Sequence, residues 1–243
     1  MLNLNTIFKD PSQLLIVPAA LLAIMLHEIS HGLVAYWSGD LTAKQSGRLS
    51  LNPIRHLDPF GLVAMVFFGF GWAKPVPVDM RYFKKPRRDF ALVALGGPLS
   101  NFLQALVGFV IFFAIHTLMP NQLVDDPFNL FSLLLSGAYP EILPRFPILY
   151  VQLFLTFYIV LNVGLGSFNL LPIPPLDGSK IVGIVIPDRF YYHILRFERY
   201  GMIVLAGLLF SGVLDTPLNA MRTAFLRGIG WLAGLPFGYA WGI

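Results

Sequence analysis

The sequence predicts an α-helical, polytopic membrane protein: about five to six transmembrane segments around a three-helix core, with a small membrane-associated β-sheet or re-entrant element. Hydrophobic residues make up 56% of the 243 and charged residues 12%, about half the charged share usual in soluble proteins. Mean hydropathy is +0.69. The apolar residues gather into stretches close to the roughly 20 that a helix needs to cross a bilayer core, and the basic residues gather between particular stretches. This excludes an ordinary soluble domain and a disordered chain. The length suits one integral membrane domain, 1–243. Cysteine is absent, so disulfides and thiolate metal sites are excluded. The start, MLNLNTIFKDPSQ, lacks a basic n-region and a small-residue cleavage site, so no signal peptide is expected.

The first apolar segment covers residues 13–37, and its only ionisable groups near neutral pH are His27, Glu28 and His31. A polar stretch, 38–59, leads to GLVAMVFFGFGWA at 61–73. That stretch is short for a span and rich in glycine, which suits a re-entrant or strand-like excursion. A basic loop, 74–89, precedes the second segment, 90–118. An acidic loop, 119–147, precedes the third, 148–171, which runs into LPIPPLDG. Residues 179–186 read as a short helix stopped by Pro187. Further spans are expected near 200–214 and 223–243. The core of the domain is thus about 13–185, with accessory spans over about 198–243.

The distribution of Lys and Arg orients the chain. Residues 39–89 carry nine: Lys44, Arg48, Arg55, Lys74, Arg81, Lys84, Lys85, Arg87 and Arg88. The loop 119–147 carries only Arg145, beside Asp125, Asp126 and Glu141. The loop 178–199 carries Lys180, Arg189, Arg196 and Arg199. Residues 39–89 and 178–199 are therefore expected on the cytoplasmic side of a multi-pass cell-membrane protein, and 119–147 outside. The net charge of +4 comes with these loops and does not call for a nucleic-acid partner; the expected surroundings are a lipid bilayer. Trp37, Trp72 and Trp231 fit an interfacial aromatic belt, and His116 and His193 read as structural.

HEISH, His27 to His31, carries the chemistry. Residues i and i+4 share one helix face, so both imidazoles can meet one metal. Neutral imidazole suits zinc, and two histidines leave room for a third ligand and a water. Glu28 lies beside them, placed to take a proton from that water. Ionisable groups inside a span are costly and mark function. The third ligand is less determined. Asp177 follows prolines 172, 174 and 175, just where the third segment reaches the cytoplasmic side, at the depth of the two histidines. Gly178 then permits a tight turn. Asp177 also suits the N-cap of the following helix, and spacing alone leaves both readings open.

HEISH in the first apolar segment, GGPLSN at 96–101 and NLLPIPPLDG at 169–178 together resemble the site-2 protease family of intramembrane zinc metalloproteases, peptidase family M50. The likeness is to its short bacterial branch without PDZ or CBS domains and covers roughly 15–185. It implies one Zn2+ per chain held by His27, His31 and Asp177, with Glu28 as catalytic base. It implies that Asn169 holds substrate backbone or the oxyanion, and that Gly97 to Asn101 pack against the catalytic helices. It further implies that GRLSLNPIRHLDPFG at 47–61 belongs to a membrane-associated sheet. The edge that receives an unwound substrate is expected in 48–52 or 76–79. The implied activity is hydrolysis of a peptide bond in or near the transmembrane segment of another membrane protein, as in regulated intramembrane proteolysis.

Lesser candidates have plainer readings beside them. Asn101 and Asn169 could serve the substrate, yet amides in spans commonly bridge helices. His56, near Asp58, is either a substrate or outer-sphere residue or simply a loop histidine. Two rival functions fit the sequence less well. A di-iron membrane oxidase needs around eight histidines, against five here. A transporter or inactive scaffold with a structural metal would favour four protein ligands. No motif specifies the oligomeric state.

Overall fold

The computed structural model describes residues 10–58, 61, 74–119, 124–187 and 200–239. A 3-10 turn, Pro11–Leu15, feeds α1, Ile16–Trp37. The short α2, Thr42–Gln45, follows. The long α3, Pro86–Leu118, opens with proline at its first turn, where a missing N–H costs nothing. Next come α4, Pro127–Ser136, and α5, Ile148–Asn169. Asp126 caps α4 by accepting from the Phe128 N–H, and Gly137 ends it in the left-handed conformation at φ 80°. The proline-rich connection leads to α6, Asp177–Val182. It contains a cis peptide between Pro174 and Pro175. The chain closes with α7, Tyr200–Phe210, and α8, Asp215–Gly234.

Three helical stretches are long and apolar enough to cross a membrane: Pro11–Trp37, Pro86–Leu118 and Ile148–Asn169. At 22 residues, α5 alone is about 33 Å long, which matches the bilayer core. Helices suit that setting because they satisfy their own backbone groups where no water is available. The central element is α3, which packs most extensively on α5 and on α1, while α1 also meets α5. At one end Phe109, Phe112 and Phe113 of α3 pack with Phe131 and Leu134 of α4 and with Leu149 and Leu153 of α5. Gly108 permits the close approach of α5, since a Cβ there would lie 2.8 Å from Ile159 Cγ1. Nearer the middle the interface turns polar, and Tyr158 donates to Gln104 Oε1 at 2.7 Å.

The structure corrects the expected count of five to six spans. Three are found among the described residues, or four if α7 and α8 form one broken span. The expected spans at 200–214 and 223–243 are instead a pair of helices bent by 88°. The reason is local. Tyr200–Phe210 covers about half a bilayer core, and Gly212 at φ 71° then turns the chain. The short segment at 61–73 lies, except for Gly61, outside the described residues.

The described residues contain no strand, only an isolated bridge at Leu57, so they do not bear out the expected β-sheet; residues 59, 60 and 62–73 of that stretch lie outside them. Residues 76–79 form no regular structure and are poor in free donors. Pro75 and Pro77 have none. The N–H groups of Lys74, Val76 and Asp79 are given to His56 O, Glu28 Oε2 and Asp40 Oδ2. Residues 48–52 follow the left-handed Gly47 and form bends, with the Asn52 N–H taken by Ser50 Oγ.

Candidate metal centre

HEISH lies in the second half of α1, and the helix turns both imidazoles inward: His27 is 5% exposed and His31 9%. Asp177 opens α6 and is buried as well. The N-cap position belongs to Leu176, and no side chain caps this helix. The Asp177 carboxylate instead faces the histidines, with Oδ2 at 3.3 Å from His27 Nε2 and 3.2 Å from His31 Nε2. The two Nε2 atoms lie 3.0 Å apart. These are the three residues the sequence grouped, and they form a three-donor cluster.

The donor set fits zinc. Ligands about 2.0–2.1 Å from a metal at tetrahedral angles sit about 3.3 Å from one another, close to all three observed separations. The protonation pattern agrees. His31 Nδ1 lies 2.7 Å from the Val93 carbonyl, which can only accept, so Nδ1 carries the proton and neutral His31 presents a lone pair at Nε2. A lone pair beside a carboxylate oxygen calls for a cation between them. Burial opposes ionisation of Asp177, so its carboxylate needs compensating positive charge beside it. Lys180 Nζ, 3.7 Å from Asp177 Oδ1, favours the same charged form.

Neighbouring glycines make room. A Cβ at Gly97 would collide with both imidazoles, and one at Gly96 would lie 2.9 Å from Val34 Cγ2. Gly178 is needed for close approach to the carbonyls of Leu170 and Leu171 rather than for a turn, since its φ is not positive. Glu28, half-buried beside His27, accepts the Val76 N–H on Oε2 at 3.0 Å. Residues 74–79 are clamped beside this side of α1. The buried Arg48 donates to the carbonyls of Arg55, Lys74 and Pro75, and the buried Asp40 accepts the Asp79 N–H at 2.8 Å.

Of the lesser candidates, Asn101 joins the centre: its Oδ1 lies 2.6 Å from His27 Nδ1. It touches a histidine rather than open space for substrate. Asn169 donates to Leu165 O of its own helix at 3.0 Å. His56 is buried, with Nε2 donating to Ser50 O at 2.8 Å and its backbone carbonyl accepting from Lys74. Sequence reasoning missed Asp40, Arg48 and Asn162. Asn162, fully buried, accepts from Asn101 at 2.7 Å. The signal for it was present: an unexplained amide in a largely apolar segment.

Two curated relatives match most of the chain. One is "Putative zinc metalloprotease YwhC" of Bacillus subtilis strain 168, 38% identical over 87% of this chain and 89% of its own length. Another is "Putative zinc metalloprotease Rip2" of Mycolicibacterium smegmatis, 23% identical over 83% of this chain and 69% of its own length. No solved structure matches. The profile of Peptidase family M50 matches residues 16–212, which include every residue of the three-donor cluster as well as Glu28 and Asn101. With most of its length covered by that profile, the chain belongs to peptidase family M50.

Proposed function

We propose that this chain is a zinc-dependent endopeptidase that cuts the transmembrane segment of another membrane protein, as in regulated intramembrane proteolysis. The observation that carries the reading is the mutual spacing of His27 Nε2, His31 Nε2 and Asp177 Oδ2, 3.0–3.3 Å, on helices apolar enough to lie in a bilayer. Bound zinc supplies Lewis acidity, lowering the pKa of a water and polarising the scissile carbonyl. Glu28 takes the water's proton and later delivers it to the leaving amine. The Val76 N–H fixes Oε2 and leaves Oε1 for that transfer. Asn169 offers its Oδ1 to a substrate N–H while its Nδ2 stays on Leu165 O. His56 acts on the loop that carries 74–79 rather than on substrate.

A helical substrate hides its scissile bond, because each carbonyl is bonded to the amide four residues on. It must unwind locally in a medium where each unmet polar group costs several kcal/mol. Residues that weaken a helix near the cut lower that cost. In vesicles holding the purified enzyme and a single-span substrate, Gly or Pro near the scissile bond is expected to raise the cleavage rate several-fold. Cleavage confined to soluble loops, or indifferent to helix-breaking residues, rejects the intramembrane reading.

The basic loops support a centre that faces the cytoplasm in a bacterial cell membrane. The catalytic core is about 13–185, with 198–243 accessory. Because cysteine is absent, single introduced cysteines report topology cleanly. Arg81→Cys should react with an impermeant thiol reagent only from the cytoplasmic side, and Gln122→Cys only from outside. The reverse pattern would invert the protein and move the centre to the outer half of the membrane.

A further inference from the structure

We propose that Asn162 is a positioning residue that holds the proton of His27 on Nδ1 through Asn101, leaving Nε2 free for the metal; the inference rests on the zinc reading above. The two amides form a buried relay. Asn162 Nδ2 donates to the Tyr158 carbonyl of its own helix at 2.9 Å, and Asn101 Nδ2 donates to Asn162 Oδ1 at 2.7 Å. Asn101 Oδ1 then lies 2.6 Å from His27 Nδ1. Both amides are 0% exposed.

An amide alone is ambiguous, since either end can be turned toward a neighbour. The backbone carbonyl of Tyr158 is not, because it can only accept. It therefore draws the NH2 of Asn162 to itself and turns Oδ1 toward α3. That oxygen draws the NH2 of Asn101, whose own Oδ1 is left facing His27. His27 must then carry its proton on Nδ1, and Nε2 presents a lone pair beside His31 and Asp177. The Val93 carbonyl imposes the same tautomer on His31 in a single step. Both histidines are thus set by helix carbonyls, one directly and one through two amides. Gly166, one turn beyond Asn162, keeps the helices close enough: a Cβ there would lie 3.3 Å from Asn101 Cβ and 2.9 Å from Phe102 Cε1. Without Asn162 the Asn101 amide is free to turn its NH2 toward His27. That orientation favours the tautomer protonated on Nε2, whose Nε2 cannot bind the metal.

The test is zinc affinity of the full-length protein, measured by chelator competition. Asn162→Thr and Asn162→Val have nearly the same shape, so their packing cost is shared. The threonine hydroxyl both donates and accepts, whereas valine does neither. Asn162→Val is expected to bind zinc about 10–100-fold more weakly than wild type, the usual cost of losing an outer-sphere partner, with Asn162→Thr in between. Adding Asn101→Asp to the valine variant should recover most of the affinity, because a carboxylate has no donor end to present. Equal affinities for the Thr and Val variants, or no recovery on adding Asn101→Asp, would overturn the relay. Failure of the wild-type protein to bind zinc would instead reject the zinc reading itself.

Discussion

Glu28→Gln is expected to keep zinc bound while turnover falls by about 10³-fold or more. The substitution changes no volume and removes no ligand, because the three donors are His27, His31 and Asp177. What it removes is the group that can take a proton from the water. An amide has no useful basicity, so the general-base contribution is lost outright. The negative charge beside the reacting centre goes with it. The Val76 N–H can still bond the amide oxygen, so the segment 74–79 beside α1 should stay in place. Steady-state cleavage of a vesicle-embedded peptide, alongside the zinc content of the same preparation, checks this. Turnover near the wild-type rate in zinc-loaded protein would remove Glu28 from the mechanism.

Asp177→Ala is expected to weaken zinc binding by more than the roughly 10–100-fold that an outer-sphere loss costs. One of three donors disappears, and the two imidazoles are left 3.0 Å apart with no anion between them. The carboxylate's charge matters beyond its oxygen, so Asp177→Asn should recover only part of the affinity. Folding should survive, because Asp177 is not the cap of its helix. Chelator competition measures the change. Wild-type affinity in Asp177→Ala would strike this residue from the ligand set and leave the centre with two histidines and an unknown partner.

The legible parts of this chain were those governed by long apolar runs and by i, i+4 spacing. The expected segments at 13–37, 90–118 and 148–171 fall on Ile16–Trp37, Pro86–Leu118 and Ile148–Asn169. The His27–His31 pair was readable because helical periodicity alone puts both on one face. Asp177 was not fixed by spacing, since its approach to the histidines depends on the fold of the proline-rich connection. The C-terminal helices misled because total hydropathy says little about where a helix turns, and Gly212 divides the stretch. The edge strands expected at 48–52 and 76–79 were not found, for a different reason. Residues 76–79 look like an edge in composition, but Pro77 has no donor, and Glu28 and Asp40 occupy those of Val76 and Asp79. Arg48 passed as one more basic loop residue, because only the folded chain brings three carbonyls to its guanidinium.

The most direct test of the account compares membrane-peptide remnants in cells of the source organism carrying either the wild-type chain or Glu28→Gln at equal abundance. Quantitative proteomics of the membrane fraction is expected to find one or more single-span fragments that accumulate only with Glu28→Gln. The matching cut termini should appear only with the wild type and map inside the hydrophobic segment, toward its cytoplasmic end. Identical remnant profiles in the two strains, or cut sites lying only in soluble loops, would contradict it.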